Sequence, residues 1–171
     1  KHIEAEYVVV DYAQYNFPPT AWNFPKLISY ALQESAFIHL DFDFIIESKP
    51  TNLDNEIVTE NINQLTYLSG QLSFLPQSIR DHYSPNNICS GLIGGTNTKV
   101  FKKLLEVASK IITSIKEPRF IHLHCIEEVV LTAICKRNKI APVIIDCDFT
   151  HYQSADAKSL LAAEEVEDLS L

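Results

Sequence analysis

The stretch from Val100 to Ile115 constrains the fold most. Phe101, Leu104, Leu105, Ala108, Ile111, Ile112 and Ile115 recur at helical spacing, and Lys102, Lys103, Glu106 and Lys110 take the opposite face. A helix with one apolar face has to lie on something, and its flanks read as strands. Ile88 to Gly95 enters it through Gly94-Gly95, and Pro142 to Asp146 (P-V-I-I-D) follows a second helix expected over Ile126 to Lys136. Upstream, Ala5 to Asp11 reads as a β-branched strand. A helix is expected from about Ala21 to Gln33, capped by Thr20, with Trp22, Leu27 and Leu32 on its apolar face and Pro25 in its first turns. Phe37 to Ile46 is strand-like. Ser48 to Gln64 reads as polar and irregular, with a short helix near Ile57 to Leu65, and Ser78 to Asn87 reads as a loop. Strands alternating with helices predict an α/β layered domain around a mostly parallel central sheet. A chain of 171 residues supplies one such domain. It is assigned to residues 1–154, with an acidic, weakly helical tail over 155–171.

Fourteen basic against 22 acidic side chains leave a net charge of −8, which disfavours a nucleic-acid partner and an acidic membrane surface. No apolar run approaches the roughly 20 residues that cross a bilayer, and no signal-peptide pattern opens the chain, so a cytoplasmic location is expected. Cys89, Cys125, Cys135 and Cys147 form no Cys-x-x-Cys pair, so they read as buried free thiols of a reducing compartment. The chain starts at Lys1 and has no methionine, as an excerpt or processed form would.

The chemistry concentrates in a few short runs. In Phe37 to Ile46 an apolar strand ends in Asp41 and Asp43, two residues apart and so expected on one side. Carboxylates in so apolar a setting are costly to bury unless paired or bound to a cation, and oxygen ligands suit Mg²⁺ or Mn²⁺ on a phosphoryl substrate. The plain alternative is a strand end whose acids face water. Three of the four glycines, Gly91, Gly94 and Gly95, fall in Cys89 to Asn97, where they would admit a ligand to the backbone or turn the chain into the next helix with Thr96 or Asn97 as its cap. His122 and His124 share one side of a strand-like alternation, where the expectation of hydrogen-bonded edge residues stands beside a metal role, and His151 after Asp146-Cys147-Asp148 could equally complete a site. Asp146-Cys147-Asp148-Phe149-Thr150 after an apolar strand looks like the first motif of haloacid-dehalogenase-like phosphatases, with too little chain behind it for the later motifs.

In order, Trp22-Asn23-Phe24-Pro25-Lys26, the Asp-x-Asp run Phe37 to Phe44, Ser90-Gly91-Leu92-Ile93-Gly94-Gly95 and Glu127-Glu128 resemble the GT-A type nucleotide-sugar glycosyltransferases over roughly Tyr7 to Ile145. The resemblance implies a GT-A-like domain that lacks its first βαβ unit here. It implies a nucleotide-sugar donor, foremost a UDP-sugar, and a carbohydrate or other hydroxyl acceptor. By the same resemblance Trp22, Lys26, Asp41, Ser90, Gly91, Gly94 and Gly95 would border the donor. Asp41, Asp43 and His151 would hold Mn²⁺ or Mg²⁺, and Glu127 or Glu128 would face the acceptor as the catalytic carboxylate. Phe42 and Cys89 depart from the pattern, which keeps a second expectation open: a domain of this fold that binds or scaffolds without catalysis.

Overall fold

A computed structural model describes residues 9–15, 17, 21, 23–64, 72–115 and 126–152. Most of the strand expected over Ala5 to Asp11, together with Trp22, His122, His124, Cys125 and the tail over 155–171, lies outside them. In chain order the elements are α1 (Phe24–Ala31), β1 (Phe37–Leu40), β2 (Phe44–Ile46), β3 (Val58–Thr59), β4 (Ile62–Gln64), α2 (Gln77–Arg80), β5 (Asn86–Ile88), β6 (Leu92–Gly95), α3 (Thr98–Ser114), α4 (Ile126–Asn138), β7 (Val143–Ile144) and β8 (Phe149–His151).

The fold is mixed α/β. Four strands form the main sheet in the order β1-β6-β3-β7. β6 runs antiparallel to both neighbours, and only β3 and β7 are parallel. The mostly parallel sheet expected from sequence is thus corrected to a mixed one. The reason is that β3–β4 and β5–β6 are two arms of one irregular hairpin, so β6 returns beside β3 against its direction. The helix expected near Ile57 to Leu65 is replaced by β3 and β4, because the β-branched run Ile57-Val58-Thr59 finds ladder partners on both sides. The Ser78 to Asn87 loop is likewise broken by the end of α2 and the start of β5. β7 is a half-covered edge, with Ile144 52% exposed, where a buried strand was expected.

Strand alternation sorts the core into two layers. Phe37, Ile57 and Ile93 face a large cluster built with Phe24, Leu27 and Tyr30 of α1, Phe101, Leu104, Ala108, Ile111 and Ile112 of α3, and most of α4. Ile38, Val58 and Leu92 face the other way, onto Phe44, Ile46 and Phe149 of the β2–β8 ribbon. Leu92 and Ile93 are both fully buried, as strands covered on two faces require, and each such side chain contributes about 1.5–3 kcal/mol. α4 is apolar nearly all round and buried accordingly; its first turn carries Glu127 and Glu128 and its last turn Lys136 and Arg137, which matches the helix dipole.

Gly94 and Gly95 serve this packing. A Cβ on Gly94 would run into the Phe37 carbonyl oxygen and Ile38 Cα of β1, and Gly95 has φ +130°. At both positions the nearest atom a Cβ would meet is a backbone carbonyl oxygen, of Phe37 at Gly94 and of Glu56 at Gly95, as suits strand and turn residues.

Candidate active site

The site grows from a fault in the hairpin ladder. Thr59 pairs with Ile93 and Ile62 with Ile88, so residues 60 and 61 face the four residues 89–92. The Glu60 amide donates to the Leu92 carbonyl and the Cys89 amide to the Asn61 carbonyl, which leaves Ser90 and Gly91 as the excess. Thr59 Oγ1 donates to the Cys89 carbonyl at 2.7 Å and stabilises the bulge. Bulges of this kind re-aim side chains, and here one presents Ser90 to the start of α4 and the start of α1.

Ser90 is the meeting point. Its Oγ lies 3.4 Å from Glu127 Oε1 and 3.5 Å from Glu128 Oε1, its amide donates to Glu128 Oε1 at 3.3 Å, and Lys26 Nζ approaches its Oγ at 3.4 Å. One hydroxyl proton faces two carboxyl groups. Burial raises Glu127 to about 7 against the pull of Lys26, Asn23 and Ser90, and burial together with the neighbouring Glu127 raises Glu128 to about 8. The Asn23 side-chain amide donates to Glu127 Oε2, so the cap residue of α1 makes no side-chain cap bond to its own helix. The α1 start moves accordingly, to Phe24 after Asn23 in place of Ala21 after Thr20.

Lys26 also binds Asp41 at 2.8 Å, and His39 Nε2 lies 2.9 Å from Asp41 Oδ1. Burial works to raise the Asp41 carboxyl, but the hydrogen bonds from His39 and Lys26 outweigh it and hold it below the ordinary value. Tyr30, fully buried beside them, packs edge-on against His39, and its phenol is pushed well up by burial and by Glu127 and Asp41.

The expectation that Asp41 and Asp43 share one side of a strand is corrected. β1 stops at Leu40, the Phe44 amide donates to the Asp41 carbonyl, and the two acids sit in that turn with different partners. Asp43 is 4% exposed and faces His151, whose Nε2 lies 3.7 Å from Asp43 Oδ1. β8 carries His151 there by pairing with β2, Phe44 opposite His151. The other ring nitrogen, Nδ1, lies 2.7 Å from Glu60 Oε2, and Cys89 Sγ donates to Glu60 Oε1 at 2.8 Å. Burial and the Glu60 contact push the Cys89 thiol far up, so it stays a donor. A Cβ on Gly91 would run into Glu60 Oε1 and His151 Cε1, so this glycine is what lets the pair close over the bulge.

Asp43 and His151 are the residues of this arm that could hold a metal. At 3.7 Å, Asp43 Oδ1 and His151 Nε2 are too far apart for a hydrogen bond, and also farther apart than the roughly 2.8–3.1 Å between neighbouring octahedral ligands with bonds of about 2.0–2.2 Å, so a shared ion would draw them together. Glu60 on Nδ1 is the carboxylate that commonly fixes a metal-binding histidine. Among the described residues no three such side chains are gathered as a ligand group. Two protein ligands are what a Mg²⁺ or Mn²⁺ site completed by substrate phosphates needs.

Sequence reasoning missed Glu60, Asn23 and His39. The signal for Glu60 was an acid directly after the β-branched run at 57–59; His39 lay inside the Asp-x-Asp run, two residues before Asp41. The phosphatase-like motif lies elsewhere: Asp146 is exposed and accepts from Thr51 Oγ1 at 2.6 Å, and Asp148 is exposed. A family model matches residues 5–163. The chain belongs to DUF6734, a family of unknown function. No curated protein and no solved structure matches it. In this DUF6734 chain the side chains of Lys26, Asp41, Ser90, Glu127 and Glu128 form one connected cluster. No helix of the described residues is long and apolar enough to cross a membrane.

Proposed function

We propose that this chain transfers a sugar from a nucleoside-diphosphate donor, foremost a UDP-sugar, to a hydroxyl acceptor such as a carbohydrate, with Mn²⁺ or Mg²⁺. The observation that carries the reading is the position of the Ser90 hydroxyl, within 3.5 Å of Lys26 on one side and of the buried Glu127–Glu128 pair on the other. A cationic arm and a proton-accepting arm thus meet at one bulge. When bound, the metal would supply charge neutralisation on the leaving diphosphate, held by Asp43 and His151 with Asp41 beside them. Lys26, already paired to Asp41, would approach the same phosphates, and Ser90 and Gly91 would border the donor sugar. Glu127 or Glu128, once ionised as the pH rises through about 7–8, would take the acceptor's hydroxyl proton as the new C–O bond forms and the nucleoside diphosphate departs. The free thiols Cys89, Cys135 and Cys147 suit a reducing, cytoplasmic compartment.

Calorimetric titration with UDP, with Mn²⁺ or with chelator, tests this on the wild type and an Asp41→Asn/Asp43→Asn variant. Binding that requires both the metal and the two acids is the expected result. No UDP binding by folded protein, with a panel of other nucleoside diphosphates equally silent, would sink the transferase reading and leave a binding or scaffold domain.

A further inference from the structure

A cleft of about 660 Å³ lies at the other end of α4, between that helix, the start of α3 and the short α2. Its volume is in the ordinary range for small-ligand sites. The floor is apolar, made by Ile79, Val100, Ala133 and Ile134, all buried. The rim is basic: Lys99, Lys103 and Arg137 stand against the single acid Glu56, in a chain where acids outnumber bases 22 to 14.

The start of α3 sharpens this imbalance. Helices favour acids in their first turn, where the dipole is positive, yet α3 has none there and places Lys99 instead. Asn97, at the N-cap, makes no side-chain cap bond, and its amide donates to Glu56 at 2.7 Å. Glu56 is thereby engaged, and among the described residues Lys103 pairs with the exposed Glu106 at 2.7 Å, an interaction of about 0–1 kcal/mol that an incoming anion can displace. Two lysines, a guanidinium and a positive helix end converge over an apolar floor. That combination suits a phosphate carried on an apolar or aromatic body.

We propose that this cleft binds an organic phosphate ester, its phosphate at Lys99, Lys103 and Arg137 and its apolar body on Ile79, Val100, Ala133 and Ile134. The site is separate from the cluster around Ser90: Arg137 stands ten residues beyond Glu127 on the same helix, about 15 Å along its axis. It does not rest on the transferase reading.

The test uses 1-naphthyl phosphate as probe, with 1-naphthol and inorganic phosphate as its two halves, by calorimetry on the full chain. Saturable binding of 1-naphthyl phosphate, at least tenfold tighter than either half, is expected. A Lys99→Glu/Arg137→Glu variant, altered only at exposed positions and checked for fold by circular dichroism, should lose at least tenfold in affinity. An Asp41→Asn/Asp43→Asn variant should bind the probe unchanged. The proposal is overturned if 1-naphthol binds as well as its phosphate, if the rim variant binds like wild type, if only the aspartate variant loses binding, or if no saturable binding occurs.

Discussion

Glu60 Oε2 lies 2.7 Å from His151 Nδ1, a contact between residues 91 positions apart in the chain. With Glu60 engaging Nδ1, the nitrogen that faces Asp43 is Nε2. Glu60 therefore sets which nitrogen is available for a metal. Glu60→Ala should lower Mn²⁺ affinity about 10–100-fold, read by calorimetry or electron paramagnetic resonance. It should also cost about 1–3 kcal/mol of stability, since His151 and the Cys89 thiol both lose a buried acceptor. Mn²⁺ affinity unchanged in the folded variant would remove Glu60 from the site.

The Glu127–Glu128 pair makes stability depend on pH. Both carboxyls are raised from 4.5, to about 7 and about 8, so the folded state holds protons that the unfolded state has released. Their contribution is neutral below about pH 4.5, where both states are protonated. As the pH climbs from there to about 8 it destabilises the fold, by an amount on the order of a few kcal/mol. Urea denaturation at pH 5, 6, 7 and 8 should show falling stability, and Glu128→Gln should flatten the slope. Activity should move the opposite way, rising through pH 7–8 as the proton acceptor ionises.

Asp41 behaves in the reverse sense. Its depressed folded value means that the carboxylate stabilises the protein above the unfolded value of 3.8, and that this is lost as pH falls through the folded value. Lys26→Met removes one hydrogen bond and one charge from it. The Asp41 carboxyl resonance should then titrate at higher pH, and stability at pH 7 should fall by about 1–3 kcal/mol. The loss should shrink toward pH 3. A titration that does not move would mean that His39 alone holds Asp41 ionised.

Two glycines separate packing from chemistry. In Gly94→Ala the new methyl meets β1 backbone that cannot yield, so a loss of about 3 kcal/mol or more in chemical denaturation is expected. In Gly91→Ala it meets the ends of the Glu60 and His151 side chains, which can rotate away. That variant should stay folded at a smaller cost and lose Mn²⁺-dependent UDP binding. Equal loss of stability in both variants would make Gly91 another packing glycine.

α3 was legible almost to the residue, expected over Val100 to Ile115 and found over Thr98–Ser114, because seventeen residues carry enough periodicity to mark one face. Lys26, Asp41, Ser90, Glu127 and Glu128 were singled out in the sequence, and the fold brings their side chains into one network. Strand direction was not legible. β3 and β7 have two residues each, and nothing in so short an apolar run records which way its neighbour points. Glu60 was hidden for a related reason, since the strand it directly follows exists through pairing with β6 and β7 rather than through local pattern. The turn after Leu40 defeated the same-side argument for Asp41 and Asp43, which holds only while a strand continues.

The hairpin fault also has an arithmetic of its own. Its excess is two residues, an even number, and side chains alternate with period two. The pairing on either side therefore keeps the same phase, and Ile88 and Ile93, one in each arm, are both buried. A single extra residue would have turned one whole arm inside out. A pair can be inserted or excised without re-sorting core from solvent. A chain lacking Ser90 and Gly91 could thus keep this sheet while losing the hydroxyl on which the proposed chemistry turns.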